Sequence, residues 1–375
     1  MAGALAGIRV LDLTRARTAP FCTQILADFG AEVIKIEPPS GEPGRHEEPI
    51  VEGMSAYFYS VNRNKKSVIL NLKSEEGCTA FKELVTTADV VVDNFRPGVM
   101  DRLGLGYKDM RIINPRIIYC ALSGFGATGP YSQVPGHDIN FQAISGLLGL
   151  TGTPDGRPAI SQVPLAGFAG GTMYAVVAIV LALFHRTRSG EGQFCDIAML
   201  DAAISFLSSG IAFWSGGGKL PKMGADSLTG GFAYYNTYQT SDQRYLALGA
   251  IEKKFWITFC SRIERPQYIE WQFDEPQQPA MIADIKNIIA QKTMQQWMDY
   301  FDGCEVCLTP VLTLEEAAQH PQVQARKMMI EAPDSSNAGD LILAGSPIKM
   351  SATPAHIKLV FAEPGEHTEE ILKAV

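Results

Sequence analysis

Residues 7–37 decide the fold, and they read GIRVLDLTRARTAPFCTQILADFGAEVIKIE. The first seven residues form an apolar run that is typical of a buried strand, and apolar residues at helical spacing over 20–29 predict a helix that ends before Gly30. A second apolar run over 31–37 predicts another strand. Two strands joined by a helix at this spacing require a parallel pair with a right-handed crossover.

The same alternation continues along the chain. Apolar runs at 67–72, 89–93 and 116–121 predict three further strands. Between the first two lies a predicted helix over 74–86, where Ser74 is a preferred N-cap residue and two glutamates follow it. Strands that alternate with helices predict the α/β class, with a doubly wound and mostly parallel sheet. One more apolar helix is predicted over 194–213.

A change in composition separates the second region of the chain. Residues 215–219 read SGGGK and suggest a linker. Beyond it, alternating aromatic and polar residues over 229–240 predict a short strand that pairs with 244–249, and helices are predicted to about residue 322. Residues 164–184 carry no charge and could span a bilayer by length. Their glycine-rich start and the absence of a second such stretch favour a buried helix of a globular domain instead.

Composition excludes several classes of function. The net charge of −8 argues against a nucleic-acid-binding or membrane-surface protein, because both rely on an excess of Lys and Arg. Seven cysteines, an odd number scattered along the sequence, favour a reducing, cytoplasmic compartment. Cys304 and Cys307 have redox-motif spacing, but their context favours structural thiols. We therefore expect neither a metal site nor a prosthetic group.

The glycine-rich stretch GFGATG at 124–129 has dinucleotide-binding spacing and follows a predicted strand. It is followed by Pro130 and by residues without a helical pattern. A pyrophosphate would have no helix N-terminus to bind, so we do not predict a nucleotide cofactor.

His137 is the candidate chemical centre. It follows a Pro-Gly turn at the start of a predicted helix, beyond the strand that ends at 121, and ligands of open α/β sheets bind at this edge. Histidine is a common general base, although a packed, hydrogen-bonded histidine is the simpler interpretation of an isolated one. Glu252 is the second candidate, and its alternative is a solvated carboxylate beside two lysines.

A cationic group near the sheet suits a phosphate-bearing ligand in this acidic protein. Arg96 follows a strand, and Lys65 and Lys66 form with Arg63 a dense basic group. For Arg96, a surface salt bridge is an equal alternative.

Several motifs in order along nearly the whole chain resemble the superfamily of family III CoA-transferases and α-methylacyl-CoA racemases. These motifs are GIRVLDLT (7–14), LADFGAEVIKIEP (26–38), NKKS (64–67), NFRPG (94–98), RSGEGQ (188–193) and PGEHT (364–368). The resemblance implies a large Rossmann-like domain built from both chain ends (1–214 and 326–375) and a smaller α+β domain with its linkers (215–325). It further implies two subunits interlocked as rings, as a homodimer or with a homologous partner.

GHDIN (136–140) and GAIE (249–252) resemble the racemase branch. By that resemblance His137 is a catalytic base, with Glu252 of the other subunit as its hydrogen-bond partner. Arg96, Lys65, Lys66 and Asn94 fall where the family holds CoA, which enters as part of the acyl-CoA substrate.

One position departs from the family. Both branches carry a catalytic aspartate just before the glycine-rich run, and here, in AGFAGG (166–171), Gly167 takes its place. A transferase would lack its nucleophile and a racemase one of its two bases. An enolate would still be held by backbone N–H groups near Gly170 and Gly171, expected at a helix start.

Three functions stay open at this point. The first is an α-carbon acyl-CoA enzyme, a racemase, epimerase or related one-base isomerase or lyase. The second is a CoA-transferase whose aspartate comes from a partner subunit. The third is a non-catalytic subunit that binds CoA esters.

Overall fold

The computed structural model describes residues 3–332 and 337–374. The chain divides into two compact units, and each is built from separate segments. The larger consists of Met1–Ser145, Ser161–Leu207 and Pro321–Val375, and the smaller of Gly146–Ile160 and Ser208–His320. The division predicted at residues 214 and 326 did not place residues 146–160 with the second domain.

Six parallel strands form the main sheet of the larger unit. The other strands are short and pair in antiparallel sheets of two or three strands, and the three-stranded one belongs to the smaller unit. In chain order the strands are β1 (Arg9–Asp12), β2 (Glu32–Glu37), β3 (Ile50–Val51), β4 (Met54–Ser55), β5 (Lys65–Ile69), β6 (Val90–Asp93), β7 (Ile118–Ser123), β8 (Phe194–Ala198), β9 (Tyr235–Gln239), β10 (Tyr245–Gly249), β11 (Leu308–Pro310), β12 (Met329–Glu331) and β13 (Ile342–Ala344). The main sheet has the order β5-β2-β1-β6-β7-β8. The chain thus moves outward in one direction from β1 and then in the other from β6, which confirms the doubly wound prediction.

The α-helices, in chain order, are α1 (Thr18–Asp28), α2 (Ala56–Asn62), α3 (Glu75–Thr87), α4 (Val99–Arg102), α5 (Tyr107–Ile113), α6 (Asp138–Ser145), α7 (Leu147–Leu150), α8 (Met173–Ser189), α9 (Met199–Ser205), α10 (Ser208–Ser215), α11 (Lys253–Arg262), α12 (Gln278–Ile289), α13 (Met294–Tyr300), α14 (Leu314–Gln319), α15 (Pro321–Ala325) and α16 (Thr368–Leu372). A π-helix, Leu165–Thr172, leads directly into α8. Single 3₁₀ turns lie at Pro43–His46, Pro266–Ile269 and Glu275–Gln277.

The main sheet is buried on both faces. Val10 and Leu11, neighbours on β1, belong to different core clusters, because successive side chains of a strand point to opposite faces. On the face of Leu11, α3 contributes Phe81, and on the face of Val10, α8 contributes Ile179. Burial on both faces explains why the central strands are continuous apolar runs instead of alternating ones. Each such side chain stabilises the fold by about 1.5–3 kcal/mol.

The helix predicted over 194–213 is wrong in its first five residues. Phe194 and Asp196 are exposed while Ala198 is buried, and the segment pairs with β7 as the edge strand β8. Helices α9 and α10 follow it. The apolar residues correctly indicate a regular element. Over only five residues, however, the two-residue alternation of a strand is not distinguished from the pattern of a helix.

The opposite edge of the sheet, β5, is covered by a distant part of the chain. The backbone N–H of Asn64 donates to the Val360 carbonyl (3.0 Å), and that of Ile69 donates to Thr368 Oγ1 (3.1 Å). In the other direction, the His367 N–H donates to the Ser67 carbonyl (3.0 Å). The amides and carbonyls of an edge strand are therefore satisfied within the chain.

The continuous helix Leu165–Ser189 is the one helix in the described residues that is long and apolar enough to cross a bilayer. One face of α8, which includes Ala175 and Ile179, packs under the sheet. The opposite face is exposed, so that only 44% of the most apolar 18-residue stretch of this helix is buried. We call this exposed face the apolar stripe of α8, and it consists of Tyr174, Val177, Val180, Leu181 and Phe184.

The smaller unit contains a three-stranded antiparallel sheet in the order β11-β10-β9. The two strands predicted on either side of residue 242 are β9 and β10. Their buried face packs on helices α11 to α13 through an aromatic core that includes Trp256, Phe259 and Trp297. The loop after β10 leads directly to Glu252.

Candidate active site

His137 lies where a loop from the carboxyl end of β7 enters α6. The loop approaches Phe141 so closely that a Cβ at Gly124 would lie 2.3 Å from its ring, and one at Gly136 would lie 2.8 Å from it. The backbone N–H of His137 donates to Asn140 Oδ1 (2.9 Å), and the His137 carbonyl accepts from the Asn140 N–H (2.8 Å). This pair of bonds fixes the backbone at residue 137, while the residue remains exposed.

Asp138, the next residue, ties α6 to the π-helix. Its Oδ1 accepts a hydrogen bond from the Gly167 N–H at 2.7 Å, and its Oδ2 accepts one from the Gln142 side chain. Sequence reasoning did not single out Asp138. The available signal was an acidic residue in the first turn of a predicted helix, immediately after the candidate base.

Gly167 is the position at which the family resemblance expects a catalytic aspartate. The residue is buried, and a Cβ built there would lie 2.5 Å from Cγ2 of Thr18 and 3.2 Å from its Cβ. Carbon atoms not bonded to each other prefer separations of about 3.5–4.0 Å. The missing side chain therefore leaves no vacancy, because Thr18 at the start of α1 fills the space.

The expected oxyanion donors at Gly170 and Gly171 are not at a helix start. The π-helix begins at Leu165, so both amides lie inside it. The amides of a helix's first turn have no partner within the helix. In α6 no hydrogen bond is donated by the amides of Asp138 and Ile139 to another described residue, so both are free donors directly after His137 in the chain.

Glu252 is exposed and precedes the first residue of α11. Its carbonyl accepts from the Phe255 N–H at 3.0 Å, which anchors the backbone. Its two neighbours pair elsewhere: Lys253 with Glu270 (3.5 Å) and Lys254 with Glu305 (2.8 Å). The carboxylate of Glu252 thus forms no ion pair with a described residue. His137 belongs to the larger unit and Glu252 to the smaller one.

Behind that loop, Gln272 is buried and holds the backbone before Glu252. Its amide donates to the carbonyls of Ile251 (2.7 Å) and Ala250 (3.3 Å). The same loop closes onto β11, since the Gly249 N–H donates to the Cys307 carbonyl (2.8 Å). Cys307 and Cys304 are free thiols.

Lys65 is not free to bind a CoA phosphate, contrary to the prediction. Its buried ammonium donates to Asp12 Oδ2 (2.9 Å), the Pro20 carbonyl (2.8 Å) and Asn62 Oδ1 (2.8 Å). These bonds use all three N–H donors. Burial lowers the pKa of Lys65 to about 8. Burial alone would raise the pKa of Asp12, but Lys65, Lys35 and two threonine hydroxyls outweigh it and lower that pKa to about 2.

The other predicted CoA ligands differ in availability. Lys66 is half-buried and pairs with Glu32 (3.0 Å) and Glu370 (3.1 Å). Asn94 uses its amide on the backbone of Arg15, accepting at 2.9 Å and donating at 3.0 Å, and so bridges the ends of β1 and β6. Arg96 is exposed and forms no ion pair with any residue in the described ranges. It lines a cavity of about 230 Å³ at the carboxyl ends of β6 and β7.

No helix begins in the stretch 124–137, which is fully described, so the GFGATG motif meets no helix N-terminus. Within the described ranges, no three His, Cys, Asp or Glu side chains are grouped so that they could hold a metal ion.

Comparison with known proteins agrees with this architecture. The profile of CoA-transferase family III matches residues 5–368. Human α-methylacyl-CoA racemase is 36% identical over 379 residues, covering 99% of this chain and 93% of the racemase. Acetyl-CoA:oxalate CoA-transferase of Acetobacter aceti is also 36% identical, over 93% of this chain and 90% of the transferase. A CAIB/BAIF family protein from Brucella suis has a similar structure, with a TM-score of 0.87, 30% identity and full coverage of both chains. The chain belongs to CoA-transferase family III.

Proposed function

We propose that the protein acts on the α-carbon of an acyl-CoA thioester, with His137 as its single general base. The observation that carries the proposal concerns the position where a second base would stand. Gly167 occupies it and has no side chain, and Thr18 fills the space where a side chain would begin. Residue 167 therefore supplies no carboxylate that could form an acyl-enzyme or serve as a second base, and the nearby Asp138 carboxylate is engaged by the Gly167 N–H and the Gln142 side chain.

The reaction begins when the neutral imidazole of His137 removes the α-proton. The C–H electron pair moves into the thioester and gives an enolate, whose oxygen accepts hydrogen bonds from the first-turn amides of α6. The imidazolium then returns the proton, or a proton exchanged with solvent, to the carbon skeleton. One base serves one face of the enolate. The expected activity is therefore exchange of the α-proton with solvent, or transfer of that proton to another carbon on the same face, without free inversion at the α-carbon.

Glu252 of a second subunit is proposed as the partner of His137, where it would orient the imidazole and stabilise its protonated form. Two observations support a homodimer. The carboxylate of Glu252 has no ion-pair partner in the described residues, and the apolar stripe of α8 exposes side chains that a second copy would bury. Light scattering should give twice the mass of 40.8 kDa.

Arg96 is the proposed ligand of a CoA phosphate. Its guanidinium has no carboxylate partner among the described residues, and it lies at the carboxyl edge of the sheet, where ligands bind in this fold class. Lys66 is a weaker candidate because two glutamates already compensate its charge. Asn94 would act indirectly, by holding the backbone of Arg15 in place.

The test is α-deuterium exchange. A 2-methylacyl-CoA of defined configuration is incubated with the protein in deuterium oxide, and mass spectrometry and chiral analysis follow the label and the configuration. We expect exchange with retention, abolished in His137→Ala and unchanged in the control His356→Ala, another exposed histidine. Exchange that is equal in wild type and His137→Ala would overturn the proposal. CoA-ester binding without exchange would favour a non-catalytic subunit.

A CoA-transferase is the second candidate, because the transferase of Acetobacter aceti is as similar to this chain as the human racemase is. A transferase needs a carboxylate nucleophile, which a partner subunit would have to provide. Hydroxylamine trapping distinguishes the cases: an acyl-enzyme formed by the purified homomer would show that another carboxylate of this chain is the nucleophile.

A further inference from the structure

The cavity beside Arg96 has a chemistry of its own. It lies between the end of β6 and the strands β7 and β8 and has a volume of about 230 Å³. Its walls include the rings of Tyr107, Tyr119 and Phe194, whose centroids are separated by 5.6–6.4 Å. At its floor lies the carboxyl group of Asp93, the last residue of β6.

Asp93 is a buried acid without a counter-ion among the described residues. Its side chain accepts hydrogen bonds from the Tyr119 hydroxyl (2.7 Å) and from the Phe95 N–H (2.9 Å), and the residue is 5% exposed. No basic side chain in the described ranges reaches it, in contrast to the paired buried acid Asp12. Burial raises the pKa of Asp93 to about 6. At neutral pH it is therefore a desolvated anion, which favours a cation supplied from outside the chain.

Basic side chains line the same cavity. Lys108, on α5, lines the cavity, is exposed and pairs with no carboxylate among the described residues. Asp196, on β8, lines it too, but its carboxylate already accepts from the Ala127 N–H at 3.0 and 3.1 Å. Arg96 adds a second cation at the rim. Asp101, an exposed residue, lines the cavity too, and its negative charge adds to that of Asp93. A ligand entering the cavity thus meets cations at Lys108 and Arg96 and, further in, the carboxyl group of Asp93, which has no basic partner among the described residues.

We infer that this cavity binds a small zwitterion, with an ammonium group at one end and a carboxylate at the other. The ammonium lies on Asp93 between the rings of Tyr107, Tyr119 and Phe194, which attract cations through their faces. The carboxylate lies at Lys108. The α-carbon chemistry at His137 does not use this cavity. Arg96 at its rim is the residue proposed above to bind a CoA phosphate, so the zwitterion and CoA would be neighbours, and Ala127 in its wall belongs to the loop that leads to His137.

Calorimetry with three probes at pH 7.5 tests the inference: 4-aminobutyrate, butyrate and butylammonium, which share a carbon skeleton and differ in charge. We expect 4-aminobutyrate to bind at least ~10-fold more tightly than either singly charged probe, a difference of about 1.4 kcal/mol in binding free energy. Asp93→Asn should reduce its affinity to that of butyrate. Lys108→Gln, an exposed substitution that leaves the interior intact, should reduce it to that of butylammonium. Lys349→Gln is the matched control, another exposed lysine.

Three outcomes would each overturn the inference. They are equal affinities for the three probes, no binding at 10 mM (about 2.7 kcal/mol of binding free energy), and an unchanged preference for 4-aminobutyrate in both variants. Displacement of 4-aminobutyrate by CoA would also overturn it, because the cavity would then be part of the CoA site. Since the readout is binding without turnover, failure here leaves the deuterium-exchange result unaffected.

Discussion

Gly167→Ala tests whether Thr18 closes the space at the catalytic position. The new Cβ would lie 2.5 Å from Thr18 Cγ2, at least ~1 Å closer than carbon atoms tolerate without strain. Overpacking of this kind costs about 1–3 kcal/mol. In a helix, replacing glycine by alanine also contributes about 0.5–1 kcal/mol of stability. The net destabilisation should therefore reach up to about 2.5 kcal/mol.

Thr18→Ser removes the clashing methyl group and keeps the hydroxyl. In a protein that already carries Thr18→Ser, we expect Gly167→Ala to cost at most a few tenths of a kcal/mol, because the remaining contact with Cβ of residue 18, at 3.2 Å, needs only a small shift and the helix-propensity gain offsets it. The double-mutant cycle should therefore give a coupling free energy of about 1–3 kcal/mol, from which the helix-propensity contribution cancels. Urea unfolding should be followed by circular dichroism, because all four tryptophans lie in the smaller unit. An equal cost of Gly167→Ala with and without Thr18→Ser would refute the packing argument.

Three further predictions follow from the charges and caps. Lys65→Met leaves Asp12 buried without its main partner and should cost about 3–5 kcal/mol of stability in urea unfolding. The control Lys66→Met, at a half-buried position, should cost under ~1 kcal/mol. An unchanged stability of Lys65→Met would contradict the structural role of Lys65. Folded Asp93 holds its proton to about pH 6, against an ordinary pKa of 3.8, so wild-type stability falls as the pH rises through this window. Asp93→Asn should gain up to about 3 kcal/mol over wild type by pH 8 and nothing below pH 3.8, and a pH-independent difference would count against this assignment. Ser74→Ala removes the side-chain acceptor of the Gly77 N–H and should cost about 0.5–2 kcal/mol, with Ser74→Asp as the conservative control.

The central strands could be predicted because they are buried on both faces. Val90 to Val92 form a continuous apolar run for that reason, and Ser74 marks a helix start by its own hydrogen bond to the Gly77 N–H. Phe194–Ala198 could not be predicted in the same way. It is an edge strand, so its partly exposed side chains resemble the face of an amphipathic helix over so few residues.

The position of His137 followed from topology, since the loop after a parallel strand always emerges at the same edge of the sheet. The role of Lys65 depended on which way a strand side chain points and on what meets it there, which only the packed structure decides. Thr18 gave no signal either. Its effect on Gly167 arises from the contact between two helices that are far apart in the sequence, and the missing counter-ion of Asp93 is likewise a property of three-dimensional surroundings.

The hydrogen bonds that cover β5 come from residues nearly 300 positions later, with His367 and Thr368 bonding to Ser67 and Ile69. A ribosome adds about 5–20 residues per second, so this edge waits roughly 15–60 s for its cover. During that time the nascent chain presents an open strand to its neighbours, and the smaller unit can form first. The larger unit cannot close until residues 360–368 have been synthesised, which makes the emerging polypeptide a natural client of chaperones that shield unpaired strands.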